Sequence, residues 1–356
     1  MAADLRRSLR PALAPLLVAL PLLAGCGAEG DGGRSEKNDH VSVGLVLGSG
    51  GRGDRGFNDA ALAGLAAAAR DLDADTAVSA DASDDVRREE LLAQVRAGRD
   101  LVIGVSFMAS EPAFALAREH PEVDFAVLDY TAVSDAQGRA MAPPANLAGI
   151  TYRSEEGAFL AGALAGLMTR TGQVGFVGGM DSPPIRQFQA GYAAGVLRVC
   201  PACRVAVDYA GATGAAFNDP ARGYALASVQ YAGGVDVIFH ASGGTGIGVF
   251  RAARETGRWV IGVDVDQWDQ APGRVLTSIT KRLDVSVLGV VRDEAAGRFR
   301  GGVLSQGLAE EAVGWIVDAR NRPLIPDEVY NRVETLRQAI IAGLIQVPRV
   351  PERATD

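Results

Sequence analysis

From Val41 onward the chain alternates short apolar, β-branched runs with longer helical patterns, one pair every roughly 25–30 residues. A chain patterned this way has few options: it builds mostly parallel sheets with helices packed on their faces. Strands are expected at 41–47, 76–80, 101–105 and 125–128, with helices at 84–96 and ending near His120. The scheme then repeats. A helix over 155–169, with Ser154 as a cap residue, precedes strands at 173–177, 204–209, 235–239 and 259–263. Helices fall at 187–199, 221–231 and within 327–343. The extended stretch 146–152 reads as the crossing to a second half, and 275–280 with a following helix to about 297 as the return. The expected lobes are therefore 41–147 with 281–310, and 148–280 with 311–356.

The first strand runs into Gly48-Ser-Gly-Gly-Arg-Gly-Asp-Arg-Gly-Phe-Asn-Asp59 and an alanine-rich helix, for which Asp54, Asn58 and Asp59 are candidate caps. Two readings fit this loop. Gly48, Gly50 and Gly53 spell G-x-G-x-x-G between a strand and a helix, the setting of a dinucleotide-binding turn. Alternatively, Asp54, Phe57 and Asn58 face a small molecule in a cleft.

The N-terminus weighs against the dinucleotide. Arg6, Arg7 and Arg10 precede an apolar run, 11–23, that is too short to span a bilayer. The run leads into Leu23-Ala-Gly-Cys26, which resembles the lipobox at which bacterial lipoproteins are cleaved and lipidated. Residues 1–25 then form a signal peptide. An acylated Cys26 would hold the chain on the cell membrane by lipid alone, with glycine- and charge-rich 26–40 as a flexible tether. Loss of 1–25 removes three arginines and one aspartate, moving the formal charge from −8 to about −10. That acidity disfavours nucleic acid as a partner. Export disfavours NAD(P), which is held in the cytoplasm. The roughly 315 residues that remain suit two domains.

Cys200 and Cys203 are left, as Cys-Pro-Ala-Cys. The spacing is shared with thioredoxin-like sites, but the motif follows a helix and precedes a strand, which favours a structural disulfide in an oxidising compartment. Three scattered histidines and two cysteines make no metal site. No G-x-S-x-G, H-E-x-x-H or G-K-[ST] motif is present, so no catalytic residue and no cofactor is expected.

Candidate binding residues sit where strands end, because open α/β sheets bind ligands there. They are Asp54, Phe57 and Asn58; Ser106 and Phe107; Asp129; Met180; Phe217; Gly243 and Gly244; Asp264 and Asp266; and Lys281 on a crossing strand. In a chain with 6% aromatics, Phe57-Asn58 and Phe217-Asn218 form a matched pair, able to stack on a flat heterocycle or simply to pin their own loops. Asp264 and Asp266 can accept hydrogen bonds from hydroxyls, as for a ribose diol. Lys281 can donate to a hydroxyl or be an ordinary surface lysine.

Eight stretches in order resemble the basic membrane protein family, which includes purine-nucleoside receptor lipoproteins of ABC importers. They are Gly51-Arg-Gly-Asp-Arg-Gly-Phe-Asn58, Ile103-Gly-Val-Ser-Phe107, Pro121-Glu-Val-Asp-Phe-Ala-Val-Leu-Asp129, Glu156-Gly-Ala-Phe-Leu-Ala-Gly162, Phe188-Gln-Ala-Gly-Tyr192, Asn218-Asp-Pro220, Val260-Ile-Gly-Val-Asp-Val-Asp-Gln267 and Leu276-Thr-Ser-Ile-Thr-Lys281. The resemblance implies a type I periplasmic-binding-protein fold, two doubly wound parallel-sheet lobes joined by a three-segment hinge. It also implies a nucleoside of the adenosine, guanosine or inosine class, and ABC permease and ATPase subunits as partners. It places the base between Phe57 and Phe217, with Asn58 and Asp129 nearby, and the ribose on Asp264 and Lys281. Gly48 stands where many members carry an aspartate expected to help read the base edge, and Gly56 where they carry serine. Two alternatives remain: a sensor of the same fold that passes closure to a signalling partner, and an exported NAD(P)-dependent enzyme using Gly48, Gly50, Gly53 and Asp81.

Overall fold

The computed structural model describes residues 40–79, 83 and 85–351. The signal peptide, Cys26, nearly all of the tether, Asp81 and Asp84 lie outside the described residues. In chain order the first elements are β1 (Ser42–Val46), α1 (Phe57–Asp71), β2 (Asp75–Val78), α2 (Arg87–Arg96), β3 (Leu101–Val105), α3 (Ser110–Glu119), β4 (Asp124–Leu128) and β5 (Leu147–Tyr152). Then come α4 (Ser154–Met168), β6 (Gln173–Met180), α5 (Pro183–Val199), β7 (Arg204–Gly211), α6 (Pro220–Ala232), β8 (Val237–Ala241), α7 (Gly246–Thr256), β9 (Trp259–Asp264) and β10 (Val275–Lys281). The chain continues through α8 (Leu283–Ala295), β11 (Gly302–Gln306), β12 (Val313–Trp315) and α9 (Asp327–Ile341).

The strands form two six-stranded sheets, ordered β11-β5-β4-β3-β1-β2 and β12-β10-β9-β8-β6-β7. Every pair is parallel except β10 with β12. In each sheet the first strand lies between the second and the third, so the order reverses there: at β1 and β3 in one lobe, at β6 and β8 in the other. A crevice opens beyond the C-terminal ends of strands at such a reversal. The strands flanking it read as apolar runs because both faces are covered; all of β3 and β8 is buried.

Residues 147–152 are a strand of the first sheet, paired with both β4 and β11, and do not themselves make the crossing. The chain leaves the first lobe at Arg153, returns after Lys281, and crosses a third time between β11 and β12. These three crossings lie side by side. The Arg153 backbone N–H donates to the Gln306 carbonyl at 2.7 Å and the Arg282 N–H to the Ala312 carbonyl at 2.8 Å, so the third crossing runs between the other two. The Arg153 guanidinium also bonds Glu156 and Glu310, and Glu156 accepts the Leu308 N–H at 2.8 Å. Ser154 is the first helical residue of α4 and makes no capping bond, since the cap position falls on Arg153.

Helices α4 and α5 pack so closely that glycine is required at their contact. A Cβ at Gly195 would stand 2.0 Å from the Phe159 carbonyl oxygen, and one at Gly162 equally close to that of Tyr192. Cys200 and Cys203 form a disulfide between the end of α5 and β7. Among the described residues, no helix is long and apolar enough to cross a membrane.

Candidate functional site

The two reversal points face each other across one cleft of about 610 Å³, counting its mouth. Its walls come from the loops after β1 (Gly48, Ser49, Gly50, Asp54, Phe57, Asn58), β3 (Ser106, Phe107) and β4 (Asp129) in the first lobe. The second lobe supplies Phe217, Ala241, Gly243, Val263, Asp264 and Lys281, together with Ile185 and Phe188 from α5. Ten of the thirteen candidate binding residues therefore line the cleft.

Three of them lie outside the lining. β6 runs on through Met180, which pairs with Gly211 and stays in the sheet. Gly244 lies one step behind Gly243, against the Phe217 carbonyl and the Asn218 amide. The Asp266 carboxylate bonds Arg320 and the Trp268 N–H. Asp264 ends its strand at a positive φ of 69°, which turns the chain, so Asp266 does not continue the same face as a regular strand would require.

Backbone strain is concentrated at this cleft. Ser106 (φ 104°), Asp129 (φ 65°) and Asp264 (φ 69°) are non-glycine residues in left-handed territory, each at or just past a strand end. Such conformations cost free energy and persist where surrounding structure fixes them, commonly at ligand sites.

Asp54 is less available than its position suggests. One carboxylate oxygen accepts the N–H groups of Gly56 (3.0 Å) and Asp59 (3.2 Å), and the other those of Asn58 (2.8 Å) and its side-chain amide (2.9 Å). It caps the start of α1 from outside the helix. Burial nonetheless lifts its pKa above the ordinary range, against these bonds. The Asn58 amide oxygen accepts the Gly48 N–H at 2.7 Å. Three more glycine amides of the loop turn inward, those of Gly50 and Gly51 to the Gly48 carbonyl and that of Gly53 to Asp59. A pyrophosphate would need those N–H groups free, so the loop does not suit a dinucleotide.

Asp264 is different. It is 7% exposed, lines the cleft and makes no side-chain hydrogen bond among the described residues. Burial raises its pKa to about 7; Lys281 pulls it down, while Asp54 and Asp129 push it further up. Lys281 is 4% exposed, donates to Asp129 at 2.9 Å across the two lobes, and keeps two further N–H donors. Its ammonium stands 5.0–5.3 Å from the ring centres of Phe188, Phe57 and Tyr152, within cation–π range of all three. The Phe217 ring packs on Gly179, where a Cβ would come within 2.4 Å.

The cleft thus combines a ring from each lobe, a carboxyl group without a side-chain hydrogen bond among the described residues, and an ammonium with donors to spare. Phe188 and Ile185 were missed as lining residues because on a helix their apolar spacing is indistinguishable from core. Ser49, Ala241 and Val263 carry no sequence signal of their own.

Fold and cleft together define an α/β solute-binding protein of the periplasmic-binding-protein type. The structure matches the solute-binding protein of an ABC transporter system from Aeropyrum pernix K1 with a TM-score of 0.77 and 29% identity, over 88% of this chain and 94% of that one. The chain belongs to the PnrA-like ABC transporter substrate-binding proteins, the Bmp family, whose model matches residues 41–350. It is 33% identical to the CD4+ T-cell-stimulating antigen of Listeria innocua, over 97% of this chain and 99% of that protein. It is 29% identical to a Lactococcus lactis protein named ABC transporter nucleoside-binding protein BmpA, over 93% and 96%.

Proposed function

We propose that this substrate-binding protein captures a nucleoside, of the purine class, in the interlobe cleft and delivers it to an ABC importer. The observation that carries the reading is the joint placement of Phe57, Phe217, Asp264 and Lys281 on one cleft between the lobes. Rings from opposite lobes suit the two faces of a base. Asp264 accepts from ribose hydroxyls, and Lys281 donates to a hydroxyl oxygen while Asp129 holds it in place. The name of the Lactococcus lactis relative supports this ligand class, and the family resemblance supports purine. No bond is made or broken; closing over the ligand selects the form that docks on permease and ATPase subunits. Cleavage and lipidation at Cys26 would keep the protein at the outer face of the cell membrane.

Isothermal titration of the protein with adenosine, guanosine, inosine, their free bases and ribose tests the reading. A nucleoside should bind more tightly than its base or sugar alone. Phe57→Ala should weaken it about fivefold to tenfold or more, as loss of a stacking ring does. Absence of binding by every nucleoside would refute the ligand assignment and leave the fold untouched.

A further inference from the structure

The stretch Val260–Gln267 matches the family pattern, yet Gln267 lies outside the cleft lining and takes no part in the ligand chemistry above. It is 4% exposed. Its side chain fills space left by Gly262, where a Cβ would stand 2.7 Å from the Gln267 amide oxygen. Its backbone N–H donates to the Ser278 hydroxyl at 3.1 Å.

The orientation of the amide follows from its neighbours. The Val263 N–H can only donate, so the atom 2.8 Å from it is the oxygen. The Arg55 carbonyl can only accept, so the atom 2.9 Å from it is the nitrogen. His240 Nε2, 3.1 Å from the same amide oxygen, must then carry the proton, and Nδ1 accepts from the Ser242 hydroxyl at 3.3 Å. A buried relay therefore runs from Ser242 through His240 and Gln267 inside the second lobe. Its last donor leaves that lobe and lands on the first. Arg55 sits at a positive φ of 53°, one residue after Asp54 and two before Phe57. A second contact follows the same route, from the Arg55 guanidinium to the Gln270 side-chain oxygen at 3.1 Å.

We propose that Gln267 is a positioning residue for ligand binding: its amide ties the Asp54–Asn58 loop to the second lobe and sets how long the lobes stay shut. The proposal rests on the cleft being the ligand site, but not on which ligand fills it. The relay fixes the amide before closure, so the donor meets Arg55 already oriented. Gln267 thereby stabilises the closed form without touching the ligand, which places its effect on release more than on capture.

The test uses Gln267→Glu, followed from pH 6 to pH 9: it keeps the acceptor that Val263 and His240 need and, once ionised, replaces the donor facing Arg55 with an acceptor-only oxygen. Lobe separation is followed by fluorescence energy transfer between dyes at Arg96→Cys and Val229→Cys, exposed positions on α2 and α6, without ligand and with adenosine, guanosine or inosine. Stopped-flow gives the rates. Gln267→Glu should shift the population towards open lobes and speed nucleoside release about threefold to tenfold, the range for one neutral hydrogen bond, with the association rate nearly unchanged. Gln270→Ala, which leaves the relay intact, should act the same way about twofold to fivefold. Should Gln267→Glu fail to fold, Gln267→Met, which removes the same donor to Arg55 at similar volume, is measured in its place. Unchanged lobe separation in the variants that fold would overturn the proposal. If no nucleoside binds, the dye distances without ligand still decide it, and only the ligand assignment fails.

Discussion

Replacing Asp264 with asparagine should make the empty protein more stable and the receptor worse. Asparagine matches aspartate in shape and tolerates the left-handed backbone at this position. The carboxyl is lifted from its ordinary 3.8 to about 7 in the fold, chiefly by burial, and Lys281 offsets only part of that. A raised carboxyl pKa means the native state holds a proton that the unfolded chain has already lost. Stability is therefore fully present below about pH 4 and declines as pH rises towards 7, by roughly 4 kcal/mol in all. An amide at this position cannot ionise, so Asp264→Asn should escape that decline. At pH 8 the variant should melt about 3–6 °C above the parent, taking roughly 1.5 °C per kcal/mol for a chain of this length and 2–4 kcal/mol of recovered stability. At pH 5 the gap should shrink to about half or less, because the native carboxyl is then still largely protonated and its penalty has only begun. Calorimetric melts at the two pH values give the comparison. If Asp264 accepts from a ligand hydroxyl as proposed, affinity should move the other way, falling about tenfold to a hundredfold at pH 8, since a charge-assisted hydrogen bond becomes a neutral one. Parallel melting curves for parent and variant across pH 5–8 would refute the claim that a strained, desolvated charge is held here for binding.

Two further perturbations probe the same frame. Lys281→Met strands Asp129, 14% exposed at its side chain, without its cation across the cleft; denaturant melts should show a loss of about 3–5 kcal/mol. Gly195→Ala puts a Cβ against the Phe159 carbonyl on α4 and should cost about 1–3 kcal/mol by the same measurement, with no change in ligand affinity once folded.

Much of this architecture was legible because its inner strands are buried on both faces. Continuous runs such as Leu-Val-Ile-Gly-Val at 101–105 can hardly be read otherwise, and their ends mark the cleft without any structure. The edges were not legible. β11 spells Gly-Val-Leu-Ser-Gln, with Val303 and Leu304 more than half exposed, and it becomes a strand only because β5 is there to pair with. β12, at three residues, carries no period at all. The same limit applies at the site. Asp264 and Asp266 look equivalent in sequence, and only the turn at Asp264 sends one into the cleft and the other to Arg320. Asp54 was legible as a residue of the loop, while its commitment to four donors depends on how that loop folds back on α1.

The three side-by-side crossings have a consequence for how the molecule can be assembled. The sheet that begins with β1 is completed only by β11, some 250 residues later, and α8, which packs on α1, also arrives late. A chain emerging from its N-terminus therefore brings out β6–β10 of the second lobe before the first lobe can be finished. Loop-closure entropy falls mainly on the lobe that starts first. Cutting the sequence at a crossing cannot yield a complete lobe: residues 41–152 would expose the β5 edge, and only a fusion that appends 282–306 to them would restore the six-stranded order.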